Sequence, residues 1–139
     1  MALAGICVSA ASLLVTAVLV TLVVGSSNAH VEMAKRGRAL REIATLRTAV
    51  GMYEAHNGQP PTTEQGLSAL IQKPTRPPVP MNWQGPYLEG PLPKDPWGHD
   101  YVYRDGQAAG DDYSIVSYGA DGREGREAEN ADIGPDPVN

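Results

Sequence analysis

The sequence predicts an α+β fold: one long N-terminal helix, apolar in its first half and amphipathic in its second, packed on a small antiparallel β-sheet. Three observations predict it. No charged side chain occurs from Met1 to Ala29, and no proline from Met1 to Gln59. Leu40, Ile43, Leu46, Val50 and Tyr53 recur at spacings of 3, 3, 4 and 3, the period of a helix with one apolar stripe. Two aromatic and β-branched runs follow a proline-rich stretch, the pattern of short strands.

At 139 residues the chain has room for one domain of ordinary size. Charge falls into three zones. After the uncharged opening, Glu32 to Tyr53 carries five basic and two acidic residues, and Glu54 to Asn139 carries six basic and fourteen acidic ones, for a net charge of −5. A phosphate binder needs a basic face, so nucleic acid is excluded as a partner. The single cysteine, Cys7, excludes an intramolecular disulfide.

Ala2 to Val24 is a run of 23 uncharged, mostly apolar residues. As a helix it would extend roughly 34 Å, enough for a hydrocarbon core of about 30 Å. Residues 1–30 therefore read as a transmembrane helix, and residues 31–139 as a globular domain that includes the outer half of the same helix. The rival reading is a cleaved secretory signal, with Leu13 to Val24 as its apolar region and Ser27-Asn28-Ala29 as its cleavage site. No basic residue precedes the apolar run, which favours the membrane helix. Orientation stays open. Lys35, Arg36 and Arg38 follow the span, which argues for a cytoplasmic head, whereas a head that is free of cysteine and rich in Pro and Gly fits an exported domain.

The outer helix carries its stripe to Tyr53. Asn57-Gly58-Gln59-Pro60-Pro61 stops it, with Gly at the end and Pro just beyond. Thr62 and Gln65 match a capping box that opens a short second helix through Ile71 or Gln72, with Leu67, Leu70 and Ile71 as its buried face. From Lys73 to Pro96 prolines recur too often for regular structure. Trp83, Tyr87, Leu88 and Leu92 are the expected anchors of that loop. Asp100 to Arg104 and Asp111 to Tyr118 read as the two strands, joined by a hairpin loop over Asp105 to Gly110. A sheet of this size needs the helix to cover one face.

The tail beyond Gly119 is where chemistry concentrates. Five acids lie between Asp121 and Asp132, with few apolar residues to bury them. A solvated acidic tail is one reading. A loop ordered by a hard cation is the other, because calcium takes six to eight oxygen ligands in irregular geometry and Asp121 and Asp132 stand at the two ends. The segment holds no Cys or His, which disfavours zinc, and no EF-hand run.

Several motifs carry a resemblance. Met52-Tyr53 through Asn57-Gly58, Pro61-Thr62-Thr63-Glu64-Gln65-Gly66-Leu67, Tyr87-Leu88 and Leu92-Pro93-Lys94-Asp95-Pro96-Trp97-Gly98 are four of them. Tyr113-Ser114, Gly119-Ala120-Asp121-Gly122 and Glu129-Asn130-Ala131-Asp132-Ile133-Gly134 complete the series. In order and spacing these resemble the major pseudopilins of bacterial type II secretion systems, over roughly residues 40 to 134. The resemblance implies a type IV pilin-like fold, with a proline-rich αβ loop and a C-terminal calcium loop. It implies Ca2+ as the bound metal, with Asp121 and Asp132 as carboxylate ligands and oxygens from Tyr118 and Glu129 completing the set. Ala131 stands where some relatives carry a further acid. The apolar segment departs from the family, whose members carry a glutamate five residues into the mature chain: Ala10 or Val8 stands there, and no acid precedes Glu32.

The resemblance further implies a structural subunit of the bacterial inner membrane, single-pass, with its globular domain in the periplasm. It would polymerise with identical copies into a helical fibre, beside other pseudopilins and inner-membrane components, to help export folded proteins across the outer membrane. The uncharged segment motivates a second reading, a pilin-like calcium module, anchored or secreted, that does not polymerise. Catalysis is not expected. His30, His56 and His99 are scattered with no Ser or Cys nucleophile beside them, and Cys7 lies in the apolar run.

Overall fold

Alanine and leucine recur through the N-terminal third and no proline occurs before Pro60, so the backbone forms a helix there. The computed structural model describes residues 10–106, 113–125 and 132–134; within 10–27 it describes the side chains of Val15, Ala17 and Val18 only. Helix α1 runs over Ala10–Asn57, 48 residues. By internal contacts the chain divides into two units, Met1–Ala34 and Lys35–Asn139. In the first, Val15, Val18, Val31 and Met33 are exposed. Among the described residues no helix is long and apolar enough to cross a membrane. The side chains of the apolar run Ala2 to Val24 fall mostly outside them.

The second unit is built on the C-terminal half of α1, which buries Ala39, Ile43, Leu46, Ala49, Val50 and Tyr53. This corrects one member of the predicted stripe: Leu40 is 52% exposed, and Ala39 takes the core position in its place. Leu46 and Val50 are fully buried, each such burial contributing roughly 1.5–3 kcal/mol. The helix ends as the sequence predicts. Gly58 has φ +82° and its N–H donates to the Glu54 carbonyl at 2.7 Å, while Asn57 Nδ2 donates to the Tyr53 carbonyl at 2.8 Å.

The capping box forms reciprocally. Thr62 N–H donates to Gln65 Oε1 at 3.1 Å, and Gln65 N–H donates to Thr62 Oγ1 at 3.3 Å. What it opens is shorter than predicted: a turn and then a 3-10 helix over Leu67–Leu70. Gly66, at φ +60°, breaks the helical path between them. Leu67, Ala69 and Leu70 are its buried residues and Ile71 is only half-buried. Gln65 is itself buried, and its Nε2 donates to the carbonyls of Arg76 and Pro78 at 3.0 and 2.9 Å, clamping the proline-rich loop.

All four predicted anchors hold that loop to the core. Trp83 Nε1 donates to the Ala69 carbonyl at 2.9 Å, and Tyr87 N–H to the Leu70 carbonyl at 2.7 Å. Trp83 and Tyr53 both meet the Tyr87 ring edge-on, with centroids 5.8 and 5.7 Å away.

Strands β1 (Val102–Arg104) and β2 (Ser114–Val116) pair antiparallel, with Val102 opposite Val116, Tyr103 opposite Ile115 and Arg104 opposite Ser114. Both are shorter than the runs that predicted them; Asp111 and Asp112 lie outside the described residues, and Asp100 forms only an isolated bridge with Lys94. Tyr103 and Ile115 face the core. Three tyrosine or arginine contacts tie sheet to helix: Tyr101 Oη donates to Glu42 Oε2 at 2.5 Å, Tyr113 Oη donates to the Arg47 carbonyl at 3.1 Å, and the Arg47 guanidinium lies 5.4 Å from the Tyr113 ring centre.

Candidate metal centre

The acidic tail begins where β2 ends. Ser117 continues β2 and makes an antiparallel bridge with Ile133, its N–H and carbonyl each bonded to Ile133 at 2.8 Å. In an antiparallel register the next residue of one limb lies opposite the preceding residue of the other. Tyr118 is thereby set against Asp132, although the two are separated by most of the tail. Gly134, just past the bridge, passes so close to β2 that a Cβ there would lie 2.6 Å from Val116 Cγ1 and 2.9 Å from the Ile115 carbonyl oxygen. Only glycine lets the returning limb approach that near.

Gly119–Asp121 forms a 3-10 turn that carries Asp121 outward, and Gly122 ends it at φ +64°. Asp121 is exposed, and its Oδ1 accepts the Arg123 N–H at 3.1 Å. On the other limb both carboxylate oxygens of Asp132 accept the Gly125 N–H, at 3.2 and 3.3 Å, and Asp132 N–H donates to the Gly125 carbonyl at 3.2 Å. Arg104 steadies this face from β1. Its guanidinium donates to both Glu124 carboxylate oxygens and to Tyr118 Oη, each at 3.2 Å. The Glu124 hydrogen bond raises the Arg104 pKa above its ordinary value, helped by the nearby Tyr118, Glu124 and, to a lesser degree, Asp132.

Of the four predicted ligands, the structure brings Tyr118, Asp121 and Asp132 to one end of the sheet. Glu129 lies outside the described residues. Among the described residues no group of three or more His, Cys, Asp or Glu could hold a metal. What the described limbs offer is two carboxylates and backbone carbonyls, an all-oxygen set suited to a hard cation that takes carbonyl and water ligands alongside acids. Each carboxylate has lone-pair capacity beyond its one N–H donor.

Beneath this loop lies a cluster that the composition reading passes over. Asp95 is 4% exposed, in a turn of the proline-rich loop. Its Oδ1 accepts the N–H groups of Trp97 and His99, at 3.0 and 2.8 Å, and its Oδ2 accepts the Ser117 hydroxyl at 2.6 Å. Ser117 Oγ in turn accepts the Gly119 N–H at 3.1 Å. The His99 ring reaches the same turn, with Nδ1 3.0 Å from the Gly119 carbonyl oxygen, so Nδ1 is the donor there. Its Nε2 lies against Gly122, 2.9 Å from where a Cβ would stand. A serine, a histidine and an aspartate thus meet, but without the arrangement of a nucleophile. Ser117 is fully buried, and its hydroxyl is spent between Asp95 and Gly119. His56 pairs instead with Tyr87 Oη at 3.2 Å, and His30 is exposed in the first unit.

Residues 27–136 match the family described as type II secretion system protein G. The chain is 42% identical over 118 residues to the type II secretion system core protein G of Vibrio cholerae, an alignment covering 84% of this chain and 79% of the relative. To the protein of the same name from Pseudomonas aeruginosa it is 39% identical over 117 residues, covering 84% and 82%. Among solved structures, the major pseudopilin from the type 2 secretion system of enterohaemorrhagic Escherichia coli superposes with a TM-score of 0.66 at 36% identity, over 77% of this chain and 87% of that one.

Proposed function

The chain belongs to the type II secretion system protein G family, and from that premise we propose that it is the structural subunit of a type II secretion pseudopilus, working by self-assembly and not by catalysis. The observation that carries this reading is the relation to core protein G across more than four fifths of the chain. The helix fits the role. One face of α1 from Ala39 to Tyr53 is used up in holding the head, while Val15, Val31 and Met33 before it are exposed apolar side chains of the kind that pack against identical helices. The apolar run Ala2 to Val24 would root the chain in the inner membrane, with the head in the periplasm. Other pseudopilins and inner-membrane components are the further partners of such a fibre.

Calcium belongs to the same reading. Asp121 and Asp132 would hold it, with oxygens of Tyr118 and Glu129, and when bound it would supply a cross-link between the two limbs of the tail. The oxygen-only donors and the register that sets Tyr118 against Asp132 support this. The assembly claim is tested by cross-linking the intact chain in bacterial inner membranes, with cysteines introduced at Val15 and Val31. A ladder of multimers is expected. Monomers alone would overturn it in favour of an anchored module that does not polymerise.

A further inference from the structure

The cluster under the acidic tail has a job that packing alone does not explain. A carboxylate at 4% exposure is expensive to desolvate, and among the described residues Asp95 pairs with no Lys or Arg, the His99 ring standing with Nδ1 3.9 Å from Oδ2. Two backbone N–H groups and one hydroxyl stabilise it. Two of the three donor residues, Ser117 and His99, lead on to Gly119. Through Ser117 Oγ the chain of hydrogen bonds continues to Gly119 N–H, and through His99, whose backbone Asp95 fixes, it continues to the Gly119 carbonyl. Asp95 N–H also donates to the His99 carbonyl at 2.8 Å, closing the turn that aims the imidazole. Gly119 is therefore gripped at both its polar atoms, and it is the first residue of the turn between Tyr118 and Asp121.

We propose that Asp95, acting through Ser117 and His99, is a positioning residue for the cation: it fixes the peptide between Tyr118 and Asp121 so that both present oxygens to the ion before it arrives. This rests on the calcium reading above. The logic is that of an outer shell at any metal site, where groups that never touch the ion orient those that do, and their removal weakens binding about 10- to 100-fold. It also accounts for a buried charge in a small domain. An apolar residue there would be cheaper to bury, but would leave the Ser117 hydroxyl and the Trp97 and His99 N–H groups without their acceptor.

The test is calcium titration of the full chain in detergent micelles by calorimetry, with melting followed separately in calcium and in chelator. Asp95→Asn keeps the shape and removes the charge, and its calcium Kd is expected to rise about 10- to 100-fold. His99→Ala, at a side chain that is 41% exposed and therefore safe for folding, should raise Kd several-fold while leaving the melt in chelator nearly unchanged. A merely structural role predicts something else: both variants would melt lower by the same amount with and without calcium, and would bind it with wild-type affinity. If both variants bind within twofold of wild type, the proposal is overturned and the calcium reading stands. If wild type shows no saturable binding, the calcium reading itself has failed. Should Asp95→Asn not fold, His99→Ala decides alone.

Discussion

Tyr53, Tyr101 and Tyr103 are all buried, and the ionisation of their hydroxyls is opposed. Burial is the first cause for all three. At Tyr101 the hydrogen bond to Glu42 adds to it, and at Tyr103 the charge of Asp105. Tyr103 Oη is also committed as a donor to the Pro61 carbonyl at 2.6 Å, a bond that tyrosinate cannot make. All three pKa values are raised above the ordinary value of about 10. The unfolded chain loses these protons near pH 10, whereas the folded chain withholds them. Their contribution to stability is thus whole below about pH 10 and drains away as pH climbs toward the raised folded values. An alkaline titration followed by tyrosinate absorbance and circular dichroism should show part of the tyrosine signal appearing only as the fold opens. Complete ionisation near pH 10 with the fold intact would contradict the burial of these hydroxyls.

At the scale of elements, the helix shows which signals a sequence carries and which it hides. A residue seven positions before Leu46 is about 20° off its direction on the helix, whereas one six positions before is about 120° off. Ala39 therefore faces the core and Leu40 does not, yet a search for large apolar residues selects Leu40 and passes over alanine. Leu46→Ala should cost about 2–5 kcal/mol, and Leu40→Ala less than about 0.5 kcal/mol, measured by thermal unfolding of the full chain. Equal costs would mean that the helix presents another face. Elements fixed by local chemistry are legible: the Gly58 stop and the Thr62–Gln65 box rest on near neighbours in sequence, whereas the anchors Trp83 and Tyr87 stand out only as large aromatics in a proline-rich loop, their partners Ala69 and Leu70 lying on an earlier element. The second helix is shorter than its capping box and apolar pattern predict because one glycine, Gly66, sits at positive φ between the turn and Leu67–Leu70. Asp95-Pro96-Trp97-Gly98, part of a motif quoted above, has the residues of a type I turn, with Asp first, Pro second and Gly fourth. The turn indeed closes, with Gly98 N–H donating to the Asp95 carbonyl at 2.9 Å. Its second task, accepting from Ser117 across 22 residues, is a tertiary fact with no local signature.

For the molecule as a whole, the C-terminal tail is the part whose order has least support from apolar burial, since Ile133 is its one core residue among those described. The bridge to Ser117, the Gly125–Asp132 hydrogen bonds and the exposed Arg104–Glu124 pair hold its ends. An exposed ion pair of this kind contributes about 0–1 kcal/mol and less in salt. A divalent cation held by Asp121 and Asp132, as proposed above, would offset their like charge as well as adding bonds. Because such an ion would bind the folded loop and not the unfolded chain, it would stabilise the fold by mass action. That contribution is about 2.7 kcal/mol when free calcium stands at 100 times its Kd, a shift on the order of 10 °C in melting temperature for a domain of this size. Chelation of the full chain in detergent should lower the melt by that order, and adding calcium back should restore it. Magnesium should restore it poorly, because it demands tight octahedral geometry and gives up its waters reluctantly. Asp132→Asn should melt at the chelated temperature whatever the calcium concentration, since it removes one of the two carboxylates that span the loop. A melt indifferent to chelator in the wild-type chain would leave the acidic tail as a solvated surface, its ends held by the Ser117–Ile133 bridge, the Gly125–Asp132 hydrogen bonds and the Arg104–Glu124 pair.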